Sequence, residues 1–274
     1  MLTVRQKIPL APYTTIKIGG TADFFVEARN EEEIIAALEF AGKRKLPYYI
    51  LSGGSNVLVS DQGFSGLVIK IKNQELKITL PSSPFVSRGD VGIVYADAGV
   101  SLPILAKKTT EQGLSGLEFA IGVPGTVGGA IYGNAGAFGQ EIKDVLNSVR
   151  VIMPKQDITL SLKKQTAQKL SLRGAGRRSN LLLKTQFEIS SIPTVARNDQ
   201  KTRWITVELR HTECKFAYRE SIFKHHKNWI ILSATFKLAQ NTKEQCEKRM
   251  NEMLKNKTAN QPMVKYAAGS IFKN

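Results

Sequence analysis

The stretch GLEFAIGVPGTVGGAIYGNAGAFG, from Gly116 to Gly139, contains eight glycines and almost no side chain that could act as an acid, base or nucleophile. A glycine fixed in a regular element costs about 0.5–1 kcal/mol more than an alanine, so something must offset this loss of chain entropy. Because glycine has no side chain, its backbone can approach a flat or phosphorylated ligand closely. The stretch therefore predicts close contact with a large ligand.

A second glycine segment, LSGGSNVLVSDQG at residues 51–63, follows a predicted strand. The N–H groups of Gly53, Gly54, Ser55 and Asn56 can turn inward to form a concave anion site. A tight turn explains the same residues when they are taken alone. The segment has neither Rossmann nor P-loop spacing. Together, the two glycine segments indicate a dinucleotide that is bound without a Rossmann turn.

Hydrophobic periodicity predicts helices alternating with strands. Asn30 and Glu33 have capping-box spacing and open a helix predicted at about 31–44. Ser101 is the predicted cap of a second helix that ends at Gly113. A third helix is predicted after Thr242, which forms a second capping-box pair with Gln245. A buried strand is predicted at 48–51. Further strands are predicted at 66–72, 91–98, 147–153 and 228–238, and short periodic runs occur at 181–183 and 204–209.

The size and composition indicate a globular protein of two domains, with 274 residues of which 42% are apolar. No apolar run approaches the roughly 20 residues that span a bilayer, so a membrane partner is not expected. The first residues have no long apolar segment after their basic residues, so we expect no secretory signal and a cytoplasmic location.

The net charge of +16 is concentrated in one segment. Between Ser161 and Arg210 there are eleven Lys and Arg residues against three acidic ones, which is half of the net excess. No aromatic-interleaved basic motif accompanies them, so nucleic acid is not an expected partner. Cys214 and Cys246 have neither C-x-x-C spacing nor histidines at ligand spacing, so no disulfide or metal site is expected. Cys246 falls on a predicted packed helix face.

Five motifs follow one another along the chain: TTIKIGG (14–20), the two glycine segments, CKFAYRESIFK (214–224) and AAGSIFKN (267–274). Together and in this order they closely resemble the UDP-N-acetylenolpyruvoylglucosamine reductase family, also called UDP-N-acetylmuramate dehydrogenase. The resemblance implies an α+β FAD-binding fold of the vanillyl-alcohol-oxidase type. It also implies FAD and NADPH as cofactors, a UDP-sugar substrate, a role in peptidoglycan synthesis, cell shape and cell division, and a monomeric state.

The resemblance further implies a division of the chain. Residues 1–73 would form a first FAD-binding subdomain and 74–240 a second one with a basic insertion at about 160–205. Residues 241–274 would be the truncated start of a substrate-binding domain, without the family's C-terminal glutamate. The basic segment is either a true insertion or the trace of a damaged reading frame. The implied cofactor-binding residues are Gly53, Gly54, Ser55, Asn56, Gly122, Gly125, Thr126, Gly128, Gly129 and Ala130.

The reaction implied by the resemblance needs a cation beside a developing enolate and a proton donor for the neighbouring carbon. Arg219 matches the family's arginine and Ser270 its serine. Without the resemblance, a surface arginine and a turn serine explain both residues better. Tyr218, Ser221 and Lys224 flank the arginine and are the predicted substrate-binding residues; a metal is not expected.

Two other interpretations stay open at this level. A flavin-binding module without catalysis fits the same glycine segments and the early end of the chain. A basic nucleic-acid-binding protein fits only the net charge. We expect His225 and His226 to be solvated neighbours rather than a catalytic pair, because no carboxylate at recognisable spacing orients them.

Overall fold

The computed structural model describes residues 2–81, 90–157, 194–197 and 203–260 of the chain, with only the backbone described for 194–197 and for residue 260. The predicted run at 181–183, most of the basic segment and Ser270 lie outside the described residues. Both glycine segments and the FAYRES motif lie within them.

The first sheet is formed by residues 5–71 and has strand order β1-β2-β4-β3. Strand β2 pairs antiparallel with β1 and parallel with β4, and β3 pairs parallel with β4. Helix α1 packs against β2 and β4. The elements are β1 (Arg5–Pro9), β2 (Thr21–Ala28), α1 (Glu31–Lys43), β3 (Tyr48–Leu51) and β4 (Phe64–Ile71).

The second sheet is antiparallel and has the order β11-β12-β10-β13-β6-β5, with β7 also paired to β13. Strands β8 and β9 form a separate short hairpin. The strands are β5 (Leu76–Thr79), β6 (Val91–Asp97), β7 (Leu114–Ser115), β8 (Gly136–Ala137), β9 (Gln140–Glu141), β10 (Leu146–Pro154), β11 (Thr194–Arg197), β12 (Trp204–Arg210) and β13 (Ile230–Gln240). The helices are α2 (Leu102–Glu111), α3 (Val127–Tyr132), α4 (Ile222–His225) and α5 (Lys243–Asn260).

The two sheets share one apolar core, because buried residues of α1, β4, β10 and β13 belong to a single contiguous cluster. A polar contact crosses the same boundary: the Glu31 carboxylate accepts a hydrogen bond from Arg150 at 3.0 Å and another from Thr206. The shared core and this contact hold the two sheets in a fixed relation. One glycine segment follows β3 of the first sheet, and the other follows β7, which pairs with β13 of the second sheet.

The strongly periodic elements are confirmed, and the differences have local causes. Asn30 accepts the Glu33 N–H at 2.8 Å as predicted, although the Glu33 carboxylate returns to the Arg29 N–H and not to that of Asn30. Ser101 precedes α2 but its side chain makes no capping hydrogen bond. Strand β3 is an edge strand with Tyr49 42% exposed, so the prediction of a buried strand was wrong.

Strands β1 and β2 were not predicted. In β2, buried and partly buried residues do not alternate, because both faces are covered. One face packs against α1, and Phe25 on the other face belongs to a small separate apolar cluster. Strict alternation is the signal of a half-buried strand and is lost when both faces are covered.

Candidate functional site

The two glycine segments, far apart in sequence, touch each other in the fold. The Cβ of an alanine at Gly53 would lie only 2.9 Å from the Cα of Gly125. Ser55 Oγ donates a hydrogen bond to the Pro124 carbonyl at 3.1 Å, and the hydroxyls of Ser52 and Thr126 hydrogen-bond to each other. The structure thus joins one segment from each sheet into a single surface.

Gly54 is required by the protein itself. Its φ is +69°, and a side chain there would overlap the Tyr13 carbonyl. The Gly54 carbonyl also accepts the Thr15 N–H at 3.0 Å, which ties the TTIKIGG motif to this loop. A left-handed residue that packs this closely against backbone is restricted to glycine.

The loop that follows β3 has free donors. Among the described residues, no hydrogen bond uses the backbone N–H groups of Gly53, Gly54, Ser55 or Asn56. Gly53 and Asn56 are exposed, and Ser55 is half-buried. Consecutive unused N–H groups at a loop form a site for an anion such as a phosphate. This donor set fits a pyrophosphate.

The residues from 122 to 130 fall into two groups. A side chain at Gly128 would lie 2.8 Å from Ala98 Cβ, and one at Gly122 would overlap Lys257, whose ammonium donates to the Gly122 carbonyl. Ala130 is buried in the core. Gly129 is different: it is exposed, and its added Cβ would meet only Thr126 Oγ1, at 3.8 Å. Nothing in the described protein explains a glycine at this position, and a bare backbone face there can lie against a flat ligand.

Lys70, near the end of β4, was not singled out from the sequence. Its ammonium donates a hydrogen bond to the Ser52 carbonyl, one residue before the loop with the free N–H groups. Burial lowers the pKa of Lys70, and Lys72 adds to this, while Glu27 opposes it. The signal that could have revealed it is a lysine inside the otherwise apolar run GLVIKI. A half-buried cation beside an anion site increases the site's positive potential.

Arg219 lies at the tip of a two-residue turn. Ala217 and Glu220 pair through two backbone hydrogen bonds of 3.2 and 3.0 Å, which leaves Tyr218 and Arg219 as the turn residues. Arg219 is exposed and has a φ of +54°, an unfavourable conformation for a non-glycine residue. Its guanidinium carbon lies 5.8 Å from the centroid of the Tyr218 ring, which is itself 50% exposed.

The turn is fixed against the glycine-rich stretch. Ser221 is fully buried and donates a hydrogen bond of 2.6 Å to the Tyr132 carbonyl at the end of α3. Lys224 donates to the carbonyl of Arg219. This geometry gives Ser221 a structural role, and its contact with substrate stays a prediction, as does that of Lys224.

Both histidines next to this turn have protein partners. His225 is exposed and lies 3.6 Å from the Glu220 carboxylate, and His226 stacks on Trp229 with ring centroids 4.2 Å apart. Both cysteines are free and buried. In the part of the chain that the structure describes, no group of three or more His, Cys, Asp or Glu side chains is placed to hold a metal ion. No described helix combines the length and apolarity needed to cross a membrane.

Comparison with known proteins decides the family. Residues 22–160 match the model of the FAD binding domain family. The chain is 35% identical over 272 residues to the UDP-N-acetylenolpyruvoylglucosamine reductase of Carboxydothermus hydrogenoformans, covering 99% of this chain and 70% of that protein. It is 32% identical to the reductase of the same name from Solibacter usitatus, covering 100% and 68%.

The chain belongs to the UDP-N-acetylenolpyruvoylglucosamine reductase family. The solved reductase structure from Thermus caldophilus superposes with a TM-score of 0.66 at 26% identity, over 100% of this chain and 76% of that one. Cholesterol oxidase from B. sterolicum, at 10% identity and a TM-score of 0.51, shares the fold alone, over 87% of this chain and 38% of its own.

Membership of the UDP-N-acetylenolpyruvoylglucosamine reductase family confirms the predicted α+β FAD-binding fold and makes the chain an FAD-dependent oxidoreductase. The chain spans about 70% of the length of the first of these relatives. The division into subdomains at residues 73 and 240, and the role of each site residue, stay predictions.

Proposed function

We propose that this chain catalyses the NADPH-dependent reduction of UDP-N-acetylglucosamine enolpyruvate to UDP-N-acetylmuramate through FAD, a step of peptidoglycan synthesis. The carrying observation is the exposed Arg219 turn fixed against the glycine-rich stretch, in a chain related to the named reductases over 99% of its length. We expect loss of this activity to disturb cell shape and division. A cytoplasmic location and a monomeric state remain expectations from the sequence.

Bound FAD would accept hydride from NADPH and deliver it to the enolpyruvyl group. The chain's own residues would hold it at two places. The free N–H groups of residues 53–56 would bind the pyrophosphate, with the Lys70 ammonium close by. The bare face of Gly129 would lie against the ring system, because a Cβ added there would meet only Thr126 Oγ1, at 3.8 Å.

Arg219 would stabilise the negative charge that develops on the substrate carboxylate as an enolate forms. Its guanidinium can bind a carboxylate through two parallel hydrogen bonds, which an ammonium cannot do. No carboxylate of the described residues forms an ion pair with Arg219, so the guanidinium is available to a ligand. The neighbouring Tyr218 ring would supply an exposed apolar surface to the substrate.

Ser270 lies outside the described residues, and its assignment as proton donor rests on the AAGSIFKN motif. A serine hydroxyl is a weak acid, so this role requires an environment that stabilises its alkoxide as the proton leaves. The Lys224 ammonium donates a hydrogen bond to the Arg219 carbonyl and would thereby help to hold the Arg219 turn in position during the reaction.

A test of this proposal uses the purified full chain and three absorbance spectra taken without oxygen. The protein should be yellow, lose the colour on addition of NADPH, and regain it when UDP-N-acetylglucosamine enolpyruvate is added. UDP-N-acetylglucosamine, which lacks the enolpyruvyl group, is the matched control and should leave the flavin reduced.

Mass spectrometry should then detect UDP-N-acetylmuramate in the same sample. A yellow protein whose reduced flavin is not reoxidised by the enolpyruvyl substrate would contradict the proposal and would favour a flavin-binding module without catalysis. A colourless protein that takes up no added FAD would remove the flavin chemistry altogether.

A further inference from the structure

Asn134 lies within the glycine-rich stretch and its side chain is fully buried. Its amide nitrogen donates hydrogen bonds to the Ala217 carbonyl at 2.9 Å and to the Glu141 carboxylate at 3.1 Å. Its amide oxygen accepts the Lys143 N–H at 3.3 Å. One side chain thus connects three separate segments of the chain.

The backbone of Asn134 narrows the choice of residue further. Its φ is +44°, in the left-handed region that glycine and asparagine tolerate best. Glycine has no side chain to make the three hydrogen bonds, and an aspartate carboxylate cannot donate to the Ala217 carbonyl. Of these residues, only asparagine satisfies both the backbone and the hydrogen-bonding requirements.

The bond to Ala217 acts directly on the turn that carries Arg219. Ala217 is one leg of that turn and Glu220 is the other. The Ser221 hydroxyl holds the second leg through the Tyr132 carbonyl, two residues before Asn134. Ala217, Tyr218 and Arg219 are all exposed, so the turn is held by contacts from outside it: Asn134 on the first leg, Ser221 next to the second, and the Lys224 ammonium on the Arg219 carbonyl.

We infer that Asn134 is a positioning residue for the reduction of the enolpyruvyl substrate: through the Ala217 carbonyl it fixes the turn that presents Arg219. This inference rests on the proposed function of Arg219. A charged group that stabilises a transition state must be placed to within about 0.5 Å, and a displacement of about 1 Å can lower a rate about 100-fold. We expect loss of the Ala217 contact to permit such a displacement, because the remaining Ser221 and Lys224 contacts do not hold the Ala217 leg.

The test compares two variants of Asn134 in the full holoprotein. Asn134→Gly keeps the left-handed backbone and removes all three side-chain hydrogen bonds. Asn134→Asp keeps the shape and the acceptor for the Lys143 N–H, but it loses the donor to the Ala217 carbonyl and to Glu141, and it places a second carboxylate beside that of Glu141. The matched control is Asn73→Ala, because Asn73 is also a buried asparagine that bridges two segments, with hydrogen bonds to the Leu232 carbonyl at 2.8 Å and from the Gly99 N–H at 3.2 Å.

Two rates are measured for each variant: flavin reduction by NADPH and flavin reoxidation by the enolpyruvyl substrate. For both Asn134 variants we expect reoxidation to slow about 100-fold, while reduction by NADPH changes less than about threefold. Asn73→Ala should lower the melting temperature without this split between the two rates. Equal loss of both rates in the Asn134 variants, or wild-type reoxidation in Asn134→Asp, would overturn the inference.

Hydrogen exchange supplies a readout that does not depend on catalysis. The Glu220 N–H, which donates to the Ala217 carbonyl, should exchange about tenfold faster or more in Asn134→Gly than in wild type, and at the wild-type rate in Asn73→Ala. If the wild-type chain does not reduce the enolpyruvyl substrate, the proposed function fails, while the exchange rate still decides whether Asn134 fixes the turn. An unchanged exchange rate of the Glu220 N–H in Asn134→Gly would refute the role of Asn134 in fixing the turn.

Discussion

Replacing Gly129 with alanine tests whether this glycine is required for the stability of the protein or for the binding of FAD. The added Cβ would meet only Thr126 Oγ1, at 3.8 Å, which is an ordinary van der Waals distance. Gly129 lies inside helix α3, where alanine is favoured over glycine by about 0.5–1 kcal/mol. The apoprotein of Gly129→Ala should therefore be as stable as the wild type or up to about 1 kcal/mol more stable.

The same methyl group should weaken FAD binding. If the flavin lies against the bare backbone of Gly129, the methyl must displace it, and overpacking of a close interface costs about 1–3 kcal/mol. This corresponds to a Kd for FAD that is about 5- to 140-fold higher. Quenching of flavin fluorescence during titration of the apoprotein measures the Kd, and urea unfolding of the apoprotein measures the free energy of unfolding.

Gly53→Ala is the matched control, because there the protein itself excludes the methyl. Its Cβ would lie 2.9 Å from Gly125 Cα, about 0.6–1.1 Å inside the favourable carbon–carbon separation. The loops cannot separate freely, since the Gly125 carbonyl accepts the Leu102 N–H at 3.0 Å and Ser55 holds Pro124. Gly53→Ala should thus lose about 1–3 kcal/mol of stability even without FAD. Wild-type FAD affinity in Gly129→Ala would refute the argument that its open face contacts the flavin.

Three further predictions concern single side chains. Arg219→Ala should leave FAD bound and reducible by NADPH but lower the rate of reoxidation by the enolpyruvyl substrate by about 100-fold or more. The reoxidation rate of Arg219→Lys should lie between those of wild type and Arg219→Ala. If Arg219→Ala also loses FAD, Arg219 is a structural residue. Ser270→Ala should slow reoxidation by the enolpyruvyl substrate far more than flavin reduction by NADPH. A reoxidation rate equal to that of wild type would exclude Ser270 as the proton donor. Burial, with a smaller contribution from Glu213, raises the pKa of the Cys214 thiol in the folded chain to about 12. The neutral thiol therefore stabilises the fold below about pH 9. This stability is lost as the pH rises from about 9 to 12, by at most about 1.4 kcal/mol per pH unit. The difference in melting temperature between wild type and Cys214→Ala should shrink over the accessible part of this range, and a constant difference from pH 8 to 11 would contradict the assigned shift.

Local patterns alone determined a large part of this protein. Helix α1 and strand β13 were predictable because their apolar residues recur at helical or strand spacing, which depends only on near neighbours in sequence. The two glycine segments likewise predicted a bound dinucleotide, because glycine lets the local backbone approach a ligand closely. That the dinucleotide is FAD was implied by the resemblance of the five ordered motifs to the reductase family, and not by local geometry.

Only the tertiary structure decided which residues meet. Nothing in the sequence shows that Gly53 contacts Gly125, since that approach depends on how the first sheet packs on the second through α1. It also turned Ser221 inward, onto a carbonyl 89 residues earlier, and made Asn134 a link to the Arg219 turn. Hydrogen bonds between distant segments form only after the core has brought those segments together, so their partners cannot be derived from local sequence.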